Sequence, residues 1–311
     1  MTNVEKSGTR VERILVGLDA EGLADEAVLA GIELSRRLQA KLELVHAVGT
    51  RTLDWEIVED PRSAASNAGV LTTAWRAMES HVRGILERRG CDGSQAAELI
   101  RVLPGSPAKV LLERAQDLDA DLIVLGAHKK RGVVDFGSTI RAVLARAPKA
   151  VWVQPQPWQG IRSVLVPVDL SDESLLALSQ ACALARAFDA GVRAVHCFQG
   201  PTYVVSAWPE YPDFAGAAYS YEEVRAATRE AFEQAMAAFD WRGAAHEAEF
   251  VDGEAVERIL ELSRGADLIA MGTHGRTGLS SVLLGNVAYA VLQRSEKPVL
   301  ALRHPERSFL T

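Results

Sequence analysis

Short apolar runs recur along the chain, and each is followed by a segment with helical spacing. The first run, residues 13–19, ends in an acid. Runs of this kind are typical of strands that are buried on both faces, as in a parallel sheet. Residues 25–38 then place Ala27, Leu34 and Leu38 on one face of a helix. The pattern predicts strands alternating with helices, the arrangement of a doubly wound parallel sheet.

The same alternation continues to residue 153. We predict further strands at 42–47, near 98–103, at 121–126 and at 150–153, and helices at 71–89, 107–117 and 139–147. Ser106 and Pro107 are suited to the N-cap and first position of the 107–117 helix. The polar residues 49–67 are predicted to form a loop.

The second half of the chain repeats the first. The strand that ends in Asp19 recurs 150 residues later as the strand that ends in Asp169. Ala-Asp-Leu-Ile at residues 120–123 recurs at 266–269. We therefore predict two α/β domains, residues 1–155 and 161–311, each a five-stranded, mostly parallel sheet with helices on both faces. The proline-rich linker at 154–160 is expected to be extended and semi-rigid.

Composition excludes several classes of protein. A formal net charge of −7 argues against nucleic acid as a partner. The residues before Arg13 lack the apolar region of a signal peptide, and no apolar run is long enough to predict a membrane span. The three cysteines show no metal-ligand spacing. We expect a cytoplasmic protein without structural disulfides.

Ligands of open α/β sheets bind at the carboxyl ends of the strands. Three pairs of equivalent residues end strands in the two copies: Asp19 and Asp169, His46 and His196, and Gly126 and Gly272. The pairs are expected to lie on one rim of each sheet. The alternative for the acids is that each stabilises the helix after it through the helix dipole. The histidines are interpreted as hydrogen-bonded core residues.

A glycine-rich segment follows the fourth strand of the second copy. Gly272, Gly275 and Gly285 suit close approach of backbone to a ligand, and a helix that begins after Gly285 would offer N–H groups to phosphate. Their spacing resembles the G-x2-G-x9-G-(S/T) nucleotide motif of the universal stress protein family. The chain resembles the tandem, two-domain members over its whole length. Asn286 departs from the Ser or Thr of the motif, but asparagine can still cap a helix and donate to phosphate.

This resemblance implies a Rossmann-like fold of the adenine-nucleotide alpha-hydrolase type and ATP, with or without Mg²⁺, as the ligand. Asp169 would contact adenosine, the main chain around Cys197 would line the adenine slot, and Met271 would border the ribose. His274 matches a variable motif position. The residues assigned to the site are Pro167, Val168, Asp169, Cys197, Met271, Gly272, His274, Gly275, Arg276, Gly285, Asn286 and Val287.

The first copy departs further from the motif. Gly126 is present, but Lys129 stands where the second glycine belongs, and only seven residues separate Lys129 from Gly137. Asp135 adds a negative charge that would oppose phosphate. We expect this domain to be a degenerate copy that does not bind ATP. A smaller anion at the helix start, Gly137–Ser138, stays open.

The chain carries no phosphate loop of the GxxxxGK[ST] type, no GxSxG elbow and no HExxH motif. We therefore predict a nucleotide-responsive regulatory binding protein with unidentified protein partners, and no enzyme beyond slow ATP hydrolysis. The alternative is a module of the same fold that binds an apolar ligand or only protein partners. Aromatic residues in the 200–218 loop would form a lid, a partner surface or simple packing.

The last strand of each copy would be a sheet edge, and exposed apolar edges invite pairing. In single-domain members of the family these strands pair antiparallel across a dimer. The resemblance therefore implies an intramolecular pseudo-dimer of the two domains, and a further homodimer stays open.

Overall fold

The computed structural model describes residues 11–49, 61–130, 133–135, 137–155, 157–200, 221–273 and 284–302. The strands are β1 Arg13–Leu18, β2 Lys41–Val48, β3 Ile100–Pro104, β4 Leu122–Gly126, β5 His128–Lys130, β6 Val133–Asp135, β7 Ala150–Gln154, β8 Ser163–Pro167, β9 Gly191–Phe198, β10 His246–Asp252, β11 Leu268–Gly272 and β12 Val299–Leu302. The helices are α1 Asp25–Leu38, α2 Pro61–Arg88, α3 Ala96–Leu99, α4 Pro107–Asp117, α5 Ser138–Arg146, α6 Asp172–Phe188, α7 Tyr221–Ala238, α8 Ala255–Ser263 and α9 Asn286–Arg294.

Ten strands form one continuous sheet in the order β10-β9-β8-β11-β12-β7-β4-β1-β2-β3. Each copy contributes five mutually parallel strands, with its first strand in the middle and its fifth at the seam. The predicted α/β fold of two tandem domains is therefore confirmed. At the seam, β7 and β12 pair antiparallel, with Trp152 opposite Leu300. This pairing joins the two copies within one chain and covers both of the edges that the fifth strands would otherwise expose.

The repeated Ala-Asp-Leu-Ile motif joins the first strand of each copy to the fourth. One carboxylate oxygen of Asp121 accepts hydrogen bonds from the backbone N–H groups of Glu12 and Arg13, at 2.8 and 3.0 Å. Asp267 accepts in the same way from Arg162 and Ser163, at 2.8 and 3.1 Å. The acid thus satisfies backbone donors where the first strand begins, which explains its recurrence in both copies.

Helices cover both faces of the sheet, and each face has its own apolar core. On one face α1, α2, α6 and α7 contribute Leu34, Met78, Leu178 and Phe232. On the other, α4, α5, α8 and α9 contribute Leu111, Val143, Ile259 and Val291. Across the described parts of the chain, we find no helix with the length and apolar character that a membrane crossing requires.

One local prediction was wrong. The loop predicted at 49–67 ends earlier, because α2 already begins at Pro61. Proline suits the first position of a helix, and the alanines and serines that follow allow the helical turn to propagate. In addition, β5 and β6 pair antiparallel, with Lys129 opposite Val134, in the segment that we had compared with a phosphate-binding loop.

Candidate functional site

A cavity of about 310 Å³ opens at the carboxyl ends of β8, β9 and β11, beside the first turns of α8 and α9. Its lining includes nine of the residues predicted for the site: Pro167, Val168, Asp169, Cys197, Met271, Gly272, Gly285, Asn286 and Val287. The other three, His274, Gly275 and Arg276, lie outside the described residues. The structure therefore brings the described candidates to one place, and their roles toward a ligand stay predictions.

Asp169 organises the turn between β8 and α6. Its Oδ1 accepts from the backbone N–H of Ser171 at 3.0 Å and from the Ser171 hydroxyl at 2.5 Å. Ser171 in turn is the N-cap of α6 and accepts from the N–H of Ser174. Asp19 makes the matching turn in the first copy through the N–H groups two and four residues on. Both acids therefore have a structural function, whatever ligand they meet.

His196 holds the ends of two neighbouring strands together. Its Nδ1 lies 2.7 Å from the carbonyl oxygen of Val168. Because a carbonyl only accepts, Nδ1 carries the hydrogen. The ring stacks on Phe250, with centroids 5.4 Å apart, and is 7% exposed. His46 makes the equivalent contact with the carbonyl of Leu18 at 3.2 Å. These contacts support the interpretation of both residues as core histidines.

Gly272 allows close packing of a helix against the end of β11. A Cβ placed there would lie 2.9 Å from Cβ of Glu173 and 3.0 Å from its carbonyl carbon. Gly126 has the same position in the first copy, where a Cβ would lie 2.8 Å from Cα of Ala24. Both copies therefore need glycine here so that the helix after the first strand can approach the sheet.

The N-terminus of α9 faces the cavity. Gly285 is the N-cap, and its own N–H donates to the carbonyl of Thr273 at 2.7 Å. Within the described part of the chain, no side chain caps the helix. Asn286 is the exposed first residue of the helix, so it does not act as the cap that its residue type allows. The N–H groups of Asn286, Val287 and Ala288 precede the first intrahelical bond, which Tyr289 makes to Gly285.

Two further ionisable groups at this edge, Cys197 and Asp252, have shifted pKa values. Burial raises the pKa of the Cys197 thiol to about 11, so it is neutral at physiological pH. Asp252, at the end of β10, receives two hydrogen bonds of 2.6 Å from the Arg225 guanidinium, which lower the pKa of its carboxyl. Among the residues that the structure describes, no cluster of three His, Cys, Asp or Glu side chains could hold a metal ion.

Several residues that line the cavity were not predicted from the sequence. They are Ser174, Val195, His196 as a lining residue, Ala255, Ile259, Thr273 and Ala288. Ala255 and Ile259 lie one turn apart on α8, where their spacing predicts only a buried face. The two copies agree at these positions, because Pro107 and Leu111 line the first copy's cavity from α4 in the same way.

The first copy has a cavity of about 290 Å³ at the equivalent rim, lined among others by Asp19, His46, Gly126 and Gly137. Gly137 caps α5 without a side-chain hydrogen bond among the described residues, as Gly285 does for α9. The segment between Gly126 and Gly137 differs, because it contains the paired strands β5 and β6. Strand β6 lies against α9 of the second copy.

Comparison with known proteins identifies the family to which this architecture belongs. The model of the Universal stress protein family matches residues 10–155 and again residues 160–303. A universal stress protein of Methanocaldococcus jannaschii is 34% identical over 155 residues, which cover 47% of this chain and 84% of the relative. A universal stress protein of Mycobacterium tuberculosis is 26% identical over 314 residues, covering 96% of this chain and 98% of the relative.

A solved universal stress protein from Archaeoglobus fulgidus shares the fold over 94% of this chain and 98% of its own, with a TM-score of 0.61 and 15% identity. The two matches of the family model together span nearly the whole chain, and they coincide with the two halves of the sheet. The chain belongs to the universal stress protein family and carries two copies of the family domain in tandem.

Proposed function

We propose that the second domain binds ATP or a related adenine nucleotide and that the protein acts as a nucleotide-responsive regulator of protein partners. The observation that carries this proposal is the N-terminus of α9 at the wall of the cavity, which no side chain of the described residues caps. Its first three backbone N–H groups are offered by Asn286, Val287 and Ala288, which all line the cavity. Such a helix start attracts anions through its donors and through the helix dipole.

The rest of the cavity suits a base. Val168, Ile259 and Met271 contribute apolar surface, and the protonated Cys197 adds a neutral group. Ligand cavities are mostly apolar, with a few placed polar groups that fix orientation, and about 310 Å³ falls at the lower end of their range. A nucleotide would place its base against this apolar surface and its first phosphate at the N-terminus of α9. Further phosphates would rely on the predicted contributions of Gly275 and Arg276.

The same geometry supports a binding function over a catalytic one. Among the described lining residues, the ionisable side chains are Asp169, His196 and Cys197. Asp169 accepts from Ser171, the Nδ1–H of His196 is used by Val168, and the pKa of Cys197 is raised. Covalent catalysis needs an activated nucleophile, and the thiol of Cys197 is protonated at physiological pH. A Mg²⁺ ion would be held mainly by phosphate oxygens and water.

The proposal is tested by a proline substitution that removes one N–H donor. Asn286→Pro keeps the helix, because proline is favoured at the first helical position and Gly285 already has φ −59° and ψ 147°, which suit a residue before proline. A hydrogen bond to a charged group contributes roughly 1.5–3 kcal/mol, so ATP affinity should fall at least tenfold in calorimetric titration of the full chain. Thermal stability should stay unchanged.

The matched control is Ser138→Pro at the first position of α5, after Gly137 with φ −50° and ψ 160°. It should leave ATP affinity as in the unsubstituted chain. Equal affinities for all three proteins, or a loss only with Ser138→Pro, would contradict the proposal. Native mass spectrometry of the purified chain gives an independent result. Co-purified nucleotide supports the proposal, and a lipid-like mass favours the apolar-ligand alternative.

A further solved universal stress protein, 28% identical over 47% of this chain and 98% of its own, is a complex with cAMP and has a TM-score of 0.31. cAMP is a useful second titrant on chemical grounds, because its single phosphodiester shows whether one anionic group at α9 is sufficient for binding. If the additional phosphates of ATP contribute, cAMP should bind more weakly than ATP and lose affinity by a similar factor with Asn286→Pro.

A further inference from the structure

A second kind of cavity lies at the seam between the two copies and shares no lining residue with either rim cavity. It has a volume of about 140 Å³ and is lined by side chains of both domains. Leu34 and Leu38 of α1 and Trp152 of β7 belong to the first copy, and Leu184 of α6, Leu300 and Leu302 belong to the second. A molecule in this cavity would therefore contact both domains at once.

The size and surface of the cavity match one aromatic ring. An engineered apolar cavity of about 150 Å³ in another protein stays dry and binds benzene. Here Trp152 is fully buried, and its indole N–H donates to Oε1 of Gln154 at 2.7 Å. Its polar group is therefore already satisfied, and its buried ring lies in the apolar lining beneath the cavity.

The polar side chains of the lining both come from α6. Gln180 and the exposed Arg186 stand among residues that are otherwise apolar. Arg186 donates from Nη1 to the carbonyl of Arg242 at 3.2 Å. A guanidinium carries five N–H donors in a planar arrangement that matches a carboxylate. The cavity thus combines an apolar interior with a cationic group at its edge.

We propose that the seam cavity binds a small monocyclic aromatic acid, with the ring among the leucines and the carboxylate at Arg186. Such a ligand would bind to the assembled pair of domains and not to separated ones, so it would stabilise their docking. The proposal is independent of nucleotide binding at the second domain.

The test uses benzoate and benzene as probes of the purified full chain, by ligand-detected NMR and thermal unfolding. Benzoate is expected to bind saturably and to raise the unfolding temperature. Ala183 lines the cavity, so Ala183→Phe should fill it and remove binding of both probes. Ala237→Phe, the same change on the exposed face of α7, is the control and should bind both probes normally.

Arg186→Met tests the cationic edge of the cavity separately from its apolar interior. It should weaken benzoate about tenfold, the effect of losing one hydrogen bond to a charged group, and leave benzene unchanged. ATP titration of Ala183→Phe should match that of the unsubstituted chain, which keeps this result distinct from the nucleotide site. Absence of saturable binding, or binding that persists in Ala183→Phe, would show that the cavity is only a packing gap and overturn the proposal.

Discussion

The two copies build nearly the same rim and differ in the segment that follows the fourth strand. Both have a cavity of similar size, about 310 and 290 Å³, and an uncapped glycine at the start of the next helix among the described residues. In the second copy, residues 273–285 keep the spacing of a nucleotide motif. In the first, the shorter segment contains paired strands, one of which lies against α9 of the second copy.

The comparison separates structural features from candidates for function. The histidine contact to the end of the first strand and the glycine under the helix after it occur in both copies, and packing explains both. Features that occur in one copy need another reason. Cys197 corresponds to Ala47, and Asp252 with its Arg225 partner corresponds to Pro104. The first copy therefore acts as an internal control for the second.

The largest expected effect tests a feature that both copies share. Gly272→Ala and Gly126→Ala each place a Cβ within 3 Å of a neighbouring helix backbone or Cβ, so each should lower the free energy of unfolding by roughly 1–3 kcal/mol. Gly137→Ala meets nothing within 4 Å and should be nearly neutral. Urea denaturation measures all three. If Gly272→Ala lost nucleotide affinity at unchanged stability, this glycine would be a ligand residue and the comparison would fail.

A smaller effect is expected from Cys197→Ala, which gives the second copy the residue of the first. Since burial raises the thiol pKa to about 11, the unfolded chain ionises before the folded one as pH rises from about 8.5. The unsubstituted chain should therefore lose stability between about pH 9 and 11, and the variant should lose less. The difference between the two proteins at pH 8 and pH 10 isolates Cys197 from Cys182, whose thiol pKa is also raised to about 11.

Denaturation curves at pH 8 and pH 10 measure this difference in stability. Alkylation of Cys197 tests its protonation state independently. Native protein treated with iodoacetamide at pH 8 should remain unmodified at Cys197, because the thiolate is the reactive form. Rapid modification of Cys197 in the folded chain would show that the thiol is ionised and that the cavity wall is not neutral.

The smallest effect is expected at the ion pair that only the second copy has. Hydrogen bonds from Arg225 lower the pKa of the Asp252 carboxyl, so the pair contributes stability above the ordinary pKa, near 3.8, and loses it as pH falls through the folded value. Asp252→Asn should be slightly less stable than the unsubstituted chain at pH 7, and the difference should shrink as pH falls below about 3.8. A double-mutant cycle with Arg225→Met measures the coupling. A difference that does not shrink as pH falls would mean that Asp252 acts through packing.

Local patterns were sufficient for most of the fold. The apolar runs located the strands, and the 150-residue repeat gave two domains, because both follow from the period of the backbone. The local patterns failed where the residues of a segment fit more than one kind of structure. The start of α2 lies among polar residues that also suit a loop, and β5 and β6 are too short for a periodic pattern to appear.

For the candidate site, Asp169 and Gly272 were found from the sequence because parallel strands bring their carboxyl ends to one rim, whereas Cys197 and Met271 were assigned through the family resemblance. Ala255 and Ile259 were not found, because they reach the cavity only through the packing of α8 on the sheet. The position of Asn286 relative to the cap depends on where the helix begins, and sequence reasoning locates helix ends only to within a few residues.

The amino-acid sequence is sufficient to predict two α/β copies, each with an acid, a histidine and a glycine at one rim, and to show that the second copy alone keeps the nucleotide spacing. The tertiary structure decided what those residues contact. It placed Gly272 against Glu173, His196 against Val168 and the seam cavity between α1 and α6. The reason is physical: periodicity records the local path of the backbone, whereas these contacts join elements that are far apart in the chain and meet only when the two copies fold together.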